Sequence, residues 1–286
     1  MKLTGIAPGS SGRILIVLTG LLVILHSCGP SEGEKRDQAQ RTLAARNIPY
    51  SHDRFLQSVR DGDSALVALF IQAGMYPDMI MRSGITPLMI AAANRQLPVV
   101  NLLIKHGADV NAQQKNGATV LDLALLGPRG VDPNSADAFL KLPDREAIKK
   151  KTELIGLLIE AGAEVEDDSY TLLMQSIRSA VEPGGNTNIL QMLLGAGADV
   201  NLRPVWGKSI LMFGIESMVY RPDLEVVRLI LERGADVNDR FIDPRKPGKP
   251  VTALSIARDP AFRQSVGSSL DDQLLKLLET SARLKN

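Results

Sequence analysis

The chain has 286 residues and a formal net charge of +1, with 44% hydrophobic and 23% charged residues. That much apolar material is typical of a folded body and excludes a disordered chain. The near-zero charge leaves no basic excess to neutralise phosphates, so we predict no nucleic-acid partner.

The first 28 residues have the layout of an export signal. Lys2 and Arg13 precede an apolar run of twelve residues, Ile14 to Leu25. A bilayer-spanning helix needs about 20 residues, so the run fits a signal-peptide core better than a permanent anchor. The next residues, Leu25-His26-Ser27-Cys28, resemble the lipobox of bacterial lipoproteins. Cys28 is the only cysteine and has no intramolecular disulfide partner.

The lipobox resemblance implies cleavage before Cys28 and lipid attachment to its sulfur and new N-terminus. Several acyl chains hold a protein stably on a membrane, where one binds only marginally. Gly29 in place of Asp implies the outer membrane, so the expected location is its periplasmic face in the cell envelope. A stray thiol after an ordinary signal, or a short membrane-anchoring helix, stays as the alternative. We therefore assign residues 1–27 to a signal peptide and 28–49 to a polar tether with a lead-in helix.

The stretch from Gly84 to Gln114 has the pattern of two short helices followed by a turn. Thr86-Pro87 is typical of an N-cap and first helical position, and Pro98 begins a second helix in the same way. Gly107 suits the left-handed position after a helix end. The stretch resembles one ankyrin repeat from end to end.

Copies of this unit recur along the chain. The spacing is 33 residues from Gly74 to Gly107 and again from Thr86 to Thr119. Helices this short are marginal alone in water, so the units must stack. The resemblance implies an all-α ankyrin-repeat solenoid of about six helix-turn-helix units with β-turn fingers. Within a domain of residues 50–286, we place the repeats at about 53–83, 84–115, 116–167, 168–204, 205–240 and 251–282.

Two irregularities interrupt the repeats. The third copy has about 22 extra residues between its helices, roughly Gly127 to Lys150, and the run Lys149 to Lys151 there is interpreted as a solvated helix start. All extra length in the third to sixth copies falls between paired helices, which places it along one edge. The link Asp239 to Pro250 holds three prolines and four basic residues, which predicts an extended, positively charged finger.

Catalytic and metal sites are not predicted. Asp109, Asp199 and Asp236 recur with the repeats, so turn formation explains them without acid–base chemistry. The three histidines lack the spacing of metal ligands. Neither a phosphate-binding glycine loop nor a serine nucleophile elbow is present in the sequence. We therefore predict no enzyme, no cofactor and no small-molecule substrate.

The ankyrin resemblance implies binding of a protein partner through the turn fingers and the concave helix face. The alternative is an inhibitor or immunity-type lipoprotein that blocks an envelope hydrolase or toxin. Trp206 is also open to packing against the adjacent finger. Gln113, Gln114 and Lys115 are expected to be exposed at a fingertip. The candidate partner-binding residues are Gln113, Gln114, Lys115, Trp206, Lys208, Arg240, Arg245 and Lys246.

Overall fold

A computed structural model describes residues 14–18, 21–25, 30–127, 145–165, 169–182, 184–202, 207–242, 248 and 250–284. The contacts divide the chain into two units, Met1–Tyr76 and Pro77–Asn286. The described elements of each unit are taken in turn. None of the described helices combines the length and apolar composition needed to cross a membrane.

The first unit begins with a two-stranded hairpin. Strands β1, Ile14–Leu18, and β2, Leu21–Leu25, pair antiparallel, with Ile14 opposite Leu25. No strand was predicted in this apolar run. A short run rich in Ile, Val and Leu fits a strand as well as a helix, because it has no periodicity to separate them.

Three helices complete the first unit: α1 Glu32–Ala45, α2 His52–Asp61 and α3 Ser64–Gln72. The predicted lead-in helix is α1, and it begins at Glu32 because Ser31 and Glu34 form a capping box. The Ser31 hydroxyl accepts the Glu34 N–H at 3.3 Å, and the Glu34 carboxylate accepts the Ser31 N–H at 2.7 Å. Helix α1 packs against α3 and so covers part of the first helix pair.

The second unit contains the helix pairs predicted for the later copies. The first helices of the pairs, α4, α6, α8, α10 and α12, pack against one another in that order, and each also packs against a second helix. The bounds are α4 Pro87–Ala93, α5 Leu97–Lys105, α6 Val120–Leu126, α7 Arg145–Glu160, α8 Ser169–Val181, α9 Asn188–Gly195, α10 Ile210–Ser217, α11 Glu225–Glu232, α12 Ala253–Ala257, α13 Pro260–Val266 and α14 Ser268–Leu284.

Four of the first helices begin at a hydroxyl cap. Thr86, Thr119, Ser209 and Thr252 each accept a backbone N–H from three residues further on. In the second repeat the Thr86 N–H donates in turn to the sulfur of Met89 at 3.4 Å. These hydroxyls therefore fix where the first helices of four repeats begin.

Some of the extra residues between paired helices are helical, which the sequence did not fully indicate. Helix α7 begins at Arg145, so the later part of the predicted insert extends the second helix of the third repeat. Residues 128–144 of that insert lie outside the described residues. Lys149 and Lys150 are exposed, but Lys151 is partly buried, so the prediction of a solvated lysine run is wrong at its last residue. In the last copy the addition is a separate helix, α13.

Candidate protein-interaction surface

Asparagine side chains tie the turn of one repeat to the turn of the next. The Asn111 side-chain amide donates to the Gly162 carbonyl at 3.1 Å, and its oxygen accepts the Glu164 N–H at 2.8 Å. Asn201 makes the same two bonds with the next repeat, at 3.1 and 2.8 Å. Each side chain satisfies one donor and one acceptor of the neighbouring turn. The bases of the fingers are therefore fixed relative to one another.

The repeated carboxylates serve as turn acceptors, as interpreted from the sequence. Asp109, Asp199 and Asp236 each accept the backbone N–H of the residue two further on, at 2.9, 2.8 and 2.9 Å. This bond is that of an Asx turn, which fixes the local backbone. In the described parts of the chain, no group of three or more His, Cys, Asp or Glu side chains is placed to hold a metal ion.

The fingertip of the second repeat presents two of its three candidate residues. Gln113 and Lys115 are exposed, whereas Gln114 is only 8% exposed, so its predicted exposure is wrong. Gln114 lies where two fingers meet: a Cβ on Gly84 would lie 3.1 Å from the Gln114 Cα and 3.0 Å from the Lys115 nitrogen. The Lys115 N–H also donates to the Ser83 carbonyl at 3.3 Å. Neighbouring fingers are thus in backbone contact.

The finger between α11 and α12 is closed by a short β-bridge. Phe241 and Val251 exchange two backbone hydrogen bonds of 2.9 and 2.7 Å. Arg240 beside the bridge is exposed, and Ile242 is 61% exposed. An arginine and an aliphatic side chain therefore reach solvent together at this finger. Among the candidate residues, Cys28, Trp206, Arg245 and Lys246 lie outside the described residues.

A second group of side chains, here called the helix-face patch, consists of Tyr170, Arg178, Lys208, Phe213 and Glu216. The Arg178 guanidinium lies 5.9 Å from the centre of the Phe213 ring, within cation–π range. The candidate Lys208 is paired, its ammonium lying 2.5 Å from a Glu216 carboxylate oxygen. Burial raises the pKa of the Tyr170 hydroxyl, the Glu216 charge raises it further, and Arg178 opposes both. The patch therefore links α8 and α10 through charge and ring contacts.

Most of the helix-face patch was missed in the sequence. Its signal was the recurrence of Tyr170, Met174 and Arg178 every four residues, which places them on one face of α8. That face differs from the buried one formed by residues such as Leu173 and Ile177. A partly exposed aromatic, a methionine and an arginine in one row on a helix are typical of interface residues.

Comparison with known proteins supports the repeat assignment. Residues 55–141 match the family model for ankyrin repeats, in three copies. The chain is 36% identical over 91 residues to mouse protein phosphatase 1 regulatory subunit 27, covering 31% of this chain and 59% of that protein. It is 24% identical over 207 residues to a putative ankyrin repeat-containing protein of Treponema pallidum, covering 71% and 48%. The chain thus spans only about half of these relatives.

Solved structures show the same fold. An ankyrin repeat domain from Acinetobacter baumannii AYE superposes with a TM-score of 0.55 at 18% identity, over 80% of this chain and 99% of that one. A chain from the complex of a predatory endopeptidase of Bdellovibrio bacteriovorus with an immunity protein gives 0.52 at 19% identity, over 78% and 96%. The chain therefore contains ankyrin repeats and has the all-α ankyrin-repeat fold predicted from its sequence.

Proposed function

We propose that the chain is a lipid-anchored ankyrin-repeat scaffold of the bacterial cell envelope, which binds a protein partner through its turn fingers and concave helix face. The observation that carries this proposal is the contrast between fixed finger bases and exposed tips. Asn111 and Asn201 hold the bases, while Gln113, Lys115 and Arg240 reach solvent. A surface ordered before binding loses less conformational entropy when the partner arrives.

The helix-face patch supplies the second contact area of the proposal. Arginine and tyrosine are enriched among the residues that dominate interface energies. In the patch, Arg178 and Tyr170 are each partly exposed, so a partner can reach them. Because the Lys208–Glu216 pair is already formed, its charges lose less freedom on contact than two separate side chains would.

Partner capture tests this surface. Cross-linking in cells followed by mass spectrometry would compare the wild type with an Arg240→Ala, Gln113→Ala variant and with a Trp206→Ala, Arg245→Ala variant. Lys276→Ala on the exposed side of α14 is the control for a lost surface charge. We expect the finger variants to lose a partner that the control retains. An unchanged set of captured proteins in both finger variants would refute the finger assignment.

The identity of the captured protein decides the role of the scaffold. A structural or receptor-like partner supports the proposed scaffold. A hydrolase or toxin whose activity falls on binding would instead favour the inhibitor or immunity-type alternative.

The membrane anchor is supported by the lipobox-like residues around Cys28. Because thioether lipidation requires the cysteine sulfur, Cys28→Ala should abolish incorporation of a labelled fatty acid and cause uncleaved precursor to accumulate. Metabolic labelling followed by membrane fractionation measures both effects. Ser31→Ala, three residues further along the chain, is the control that leaves the lipobox intact. Continued labelling of the Cys28→Ala chain would refute the anchor.

A further inference from the structure

Two cations from neighbouring repeats, Arg95 and Lys151, lie at the edge formed by the inter-helix connections. Arg95 follows α4 with a left-handed φ of +55°. A Cβ on Gly127, at the end of α6, would lie 3.3 Å from an Arg95 Nη atom, so the guanidinium lies against that helix end. The absence of a side chain at Gly127 leaves room for this approach.

Lys151 supplies the second cation from α7. Its ammonium donates to the Ser179 hydroxyl of α8 at 2.9 Å. Ile148, Ile155 and Leu158, which share its helix face by their spacing of three and four residues, are buried. The side chain therefore crosses from the third repeat to the fourth, over an apolar floor.

The positive charge here is incompletely compensated. Glu182, just after α8, is the carboxylate whose charge acts on both Arg95 and Lys151. Among the described residues, neither cation has an ion-pair partner within 4.0 Å. The Arg95 Nε is buried and has no hydrogen-bond partner in the described structure. The Arg95 guanidinium therefore has one N–H donor without an acceptor among the described residues.

Burial shifts the pKa of both cations. It lowers the pKa of Arg95, and it lowers the pKa of Lys151 to about 8, with the Arg95 charge lowering it further and Glu182 opposing. Removing like charges from water is unfavourable unless an opposite charge is supplied. A second anion at this edge would supply that charge.

We propose that Arg95 and Lys151 form a binding site for a carboxylate side chain from an acidic segment of the protein partner. Arginine presents paired N–H groups that match the two oxygens of a carboxylate. Leu126, the residue before Gly127, is 47% exposed and offers an apolar contact at the helix end that Arg95 approaches. The preferred segment therefore carries a glutamate or aspartate with an apolar neighbour.

This site lies on a different edge from the fingers and names a further contact of the partner. It rests on the proposed function only for the source of the carboxylate, because anion binding can be measured without the partner. The probe is a short fluorescein-labelled peptide of alternating glutamate and leucine, and its binding to the whole chain is followed by fluorescence anisotropy at low ionic strength.

Charge-specific variants test the site. We expect Arg95→Gln and Lys151→Gln each to weaken peptide binding by about tenfold, because each removes one of two converging cations. Glu182→Gln should tighten binding severalfold, because it removes the competing carboxylate. Lys150→Gln is the matched control: it removes the same charge from an exposed position one residue away and should change binding by less than about twofold. Arg95→Lys keeps the charge and removes the fork, and it should still weaken binding.

Other outcomes would overturn the site. Equal losses in the Lys150→Gln and Lys151→Gln variants would show non-specific charge attraction. Failure of Glu182→Gln to tighten binding would show that the peptide lies elsewhere. Displacement by inorganic phosphate but not by glutarate would overturn the carboxylate assignment. Urea unfolding of each variant shows whether a loss of binding reflects a loss of folding.

The finger variants separate this site from the proposed function. Arg240→Ala should leave peptide binding unchanged. If partner capture depends on the fingers while the peptide fails to bind, only the carboxylate site is refuted. If the peptide binds as expected while the finger variants capture the same proteins, the finger assignment fails and the site stands.

Discussion

The Lys151 ammonium is partly buried, so the free energy of unfolding depends on pH through its protonation. In the folded chain its pKa is about 8, against an ordinary value of 10.5. Between these values the unfolded chain binds the proton more tightly than the folded chain does. The free energy of unfolding therefore rises with pH through this window, and below pH 8 the folded state carries the full penalty of the buried charge.

Replacing Lys151 should stabilise the chain near neutral pH. We expect Lys151→Met to raise the free energy of unfolding at pH 7 by about 1–3 kcal/mol, because it removes the desolvated charge and keeps the apolar stem. The gain should shrink as the pH rises from 8 towards 10.5. Urea unfolding at several pH values measures it.

The exposed neighbour provides the control for this prediction. Lys150→Met should change stability by less than about 0.5 kcal/mol, with no trend across the same pH range. A Lys151→Met chain that is less stable than the wild type at pH 7 would contradict the assigned cost of burial.

At the level of single residues, the sequence predicted the turn-forming side chains correctly. It was less successful in predicting which side chains are buried. The Asx turns at Asp109 and Asp199 follow from side chains that bond to their own backbone, which any sequence window contains. Gln114 and Lys151 were expected in solvent, yet each is covered by a segment distant in sequence: the neighbouring finger at Gly84, and α8 at Ser179. The spacing of Lys151 with Ile148, Ile155 and Leu158 was the available signal for its burial.

The asparagine links between turns should contribute to the stability of the repeat array. Asn111→Ala removes both hydrogen bonds between the second and third repeats and leaves their backbone partners without them. We expect a loss of about 1–2 kcal/mol in the free energy of unfolding by urea, since each net bond contributes about 1 kcal/mol and these are solvent-accessible.

Asn238 is the matched control for Asn111. It follows Asp236 as Asn111 follows Asp109, it is exposed, and no described hydrogen bond uses its side chain. Asn238→Ala should therefore cost less than about 0.5 kcal/mol. Equal losses at the two positions would assign the effect to turn propensity rather than to the link between repeats.

Gly84 allows two fingers to touch, and an alanine there should disturb the contact. Its φ is +83°, and the new Cβ would lie 3.0 Å from the Lys115 backbone nitrogen. We expect Gly84→Ala to lower the free energy of unfolding by about 2–3 kcal/mol, from backbone strain together with the displaced finger. Thermal or urea unfolding measures the loss.

A matching substitution at Gly117 separates backbone strain from the displacement of the neighbouring finger. It has the same φ of +83°, but a Cβ there would meet nothing within 4 Å. Gly117→Ala should therefore show the backbone strain alone, about 1 kcal/mol. If the two variants lose the same stability, the close approach of the fingers does not contribute.

At the level of elements, the 33-residue period indicated the second repeat and the start of the third, where the hydroxyls of Thr86 and Thr119 cap the first helices. Thr252 caps the start of α12, within the predicted sixth repeat, but α13 was not predicted. Its start depends on Asp259, whose carboxylate accepts two N–H groups, and that signal is local and unrelated to the period. A helix that only one repeat contains, such as α13, cannot be predicted from the features that the repeats share.

For the whole molecule, the described surface has two regions with different chemistry. The finger side and helix-face patch present Arg178, Phe213 and Arg240 together with polar tips, whereas the inter-helix edge holds the partly buried Arg95 and Lys151. The repeat pattern accounts for the scaffold common to both regions. The residues that distinguish the regions lie at positions where the repeats differ, so the period alone could not predict them.

This division predicts which arginines matter for a captured partner. Arg178→Ala should weaken the partner's affinity by about tenfold or more, because it removes a partly buried charge and its contact with the Phe213 ring. Arg228→Ala, on the exposed side of the second helix α11, should change the affinity by less than about twofold. Biolayer interferometry with the purified partner measures both. If the two variants bind alike, the helix-face patch is not the contact surface, because a charge on the second helix would then serve equally well.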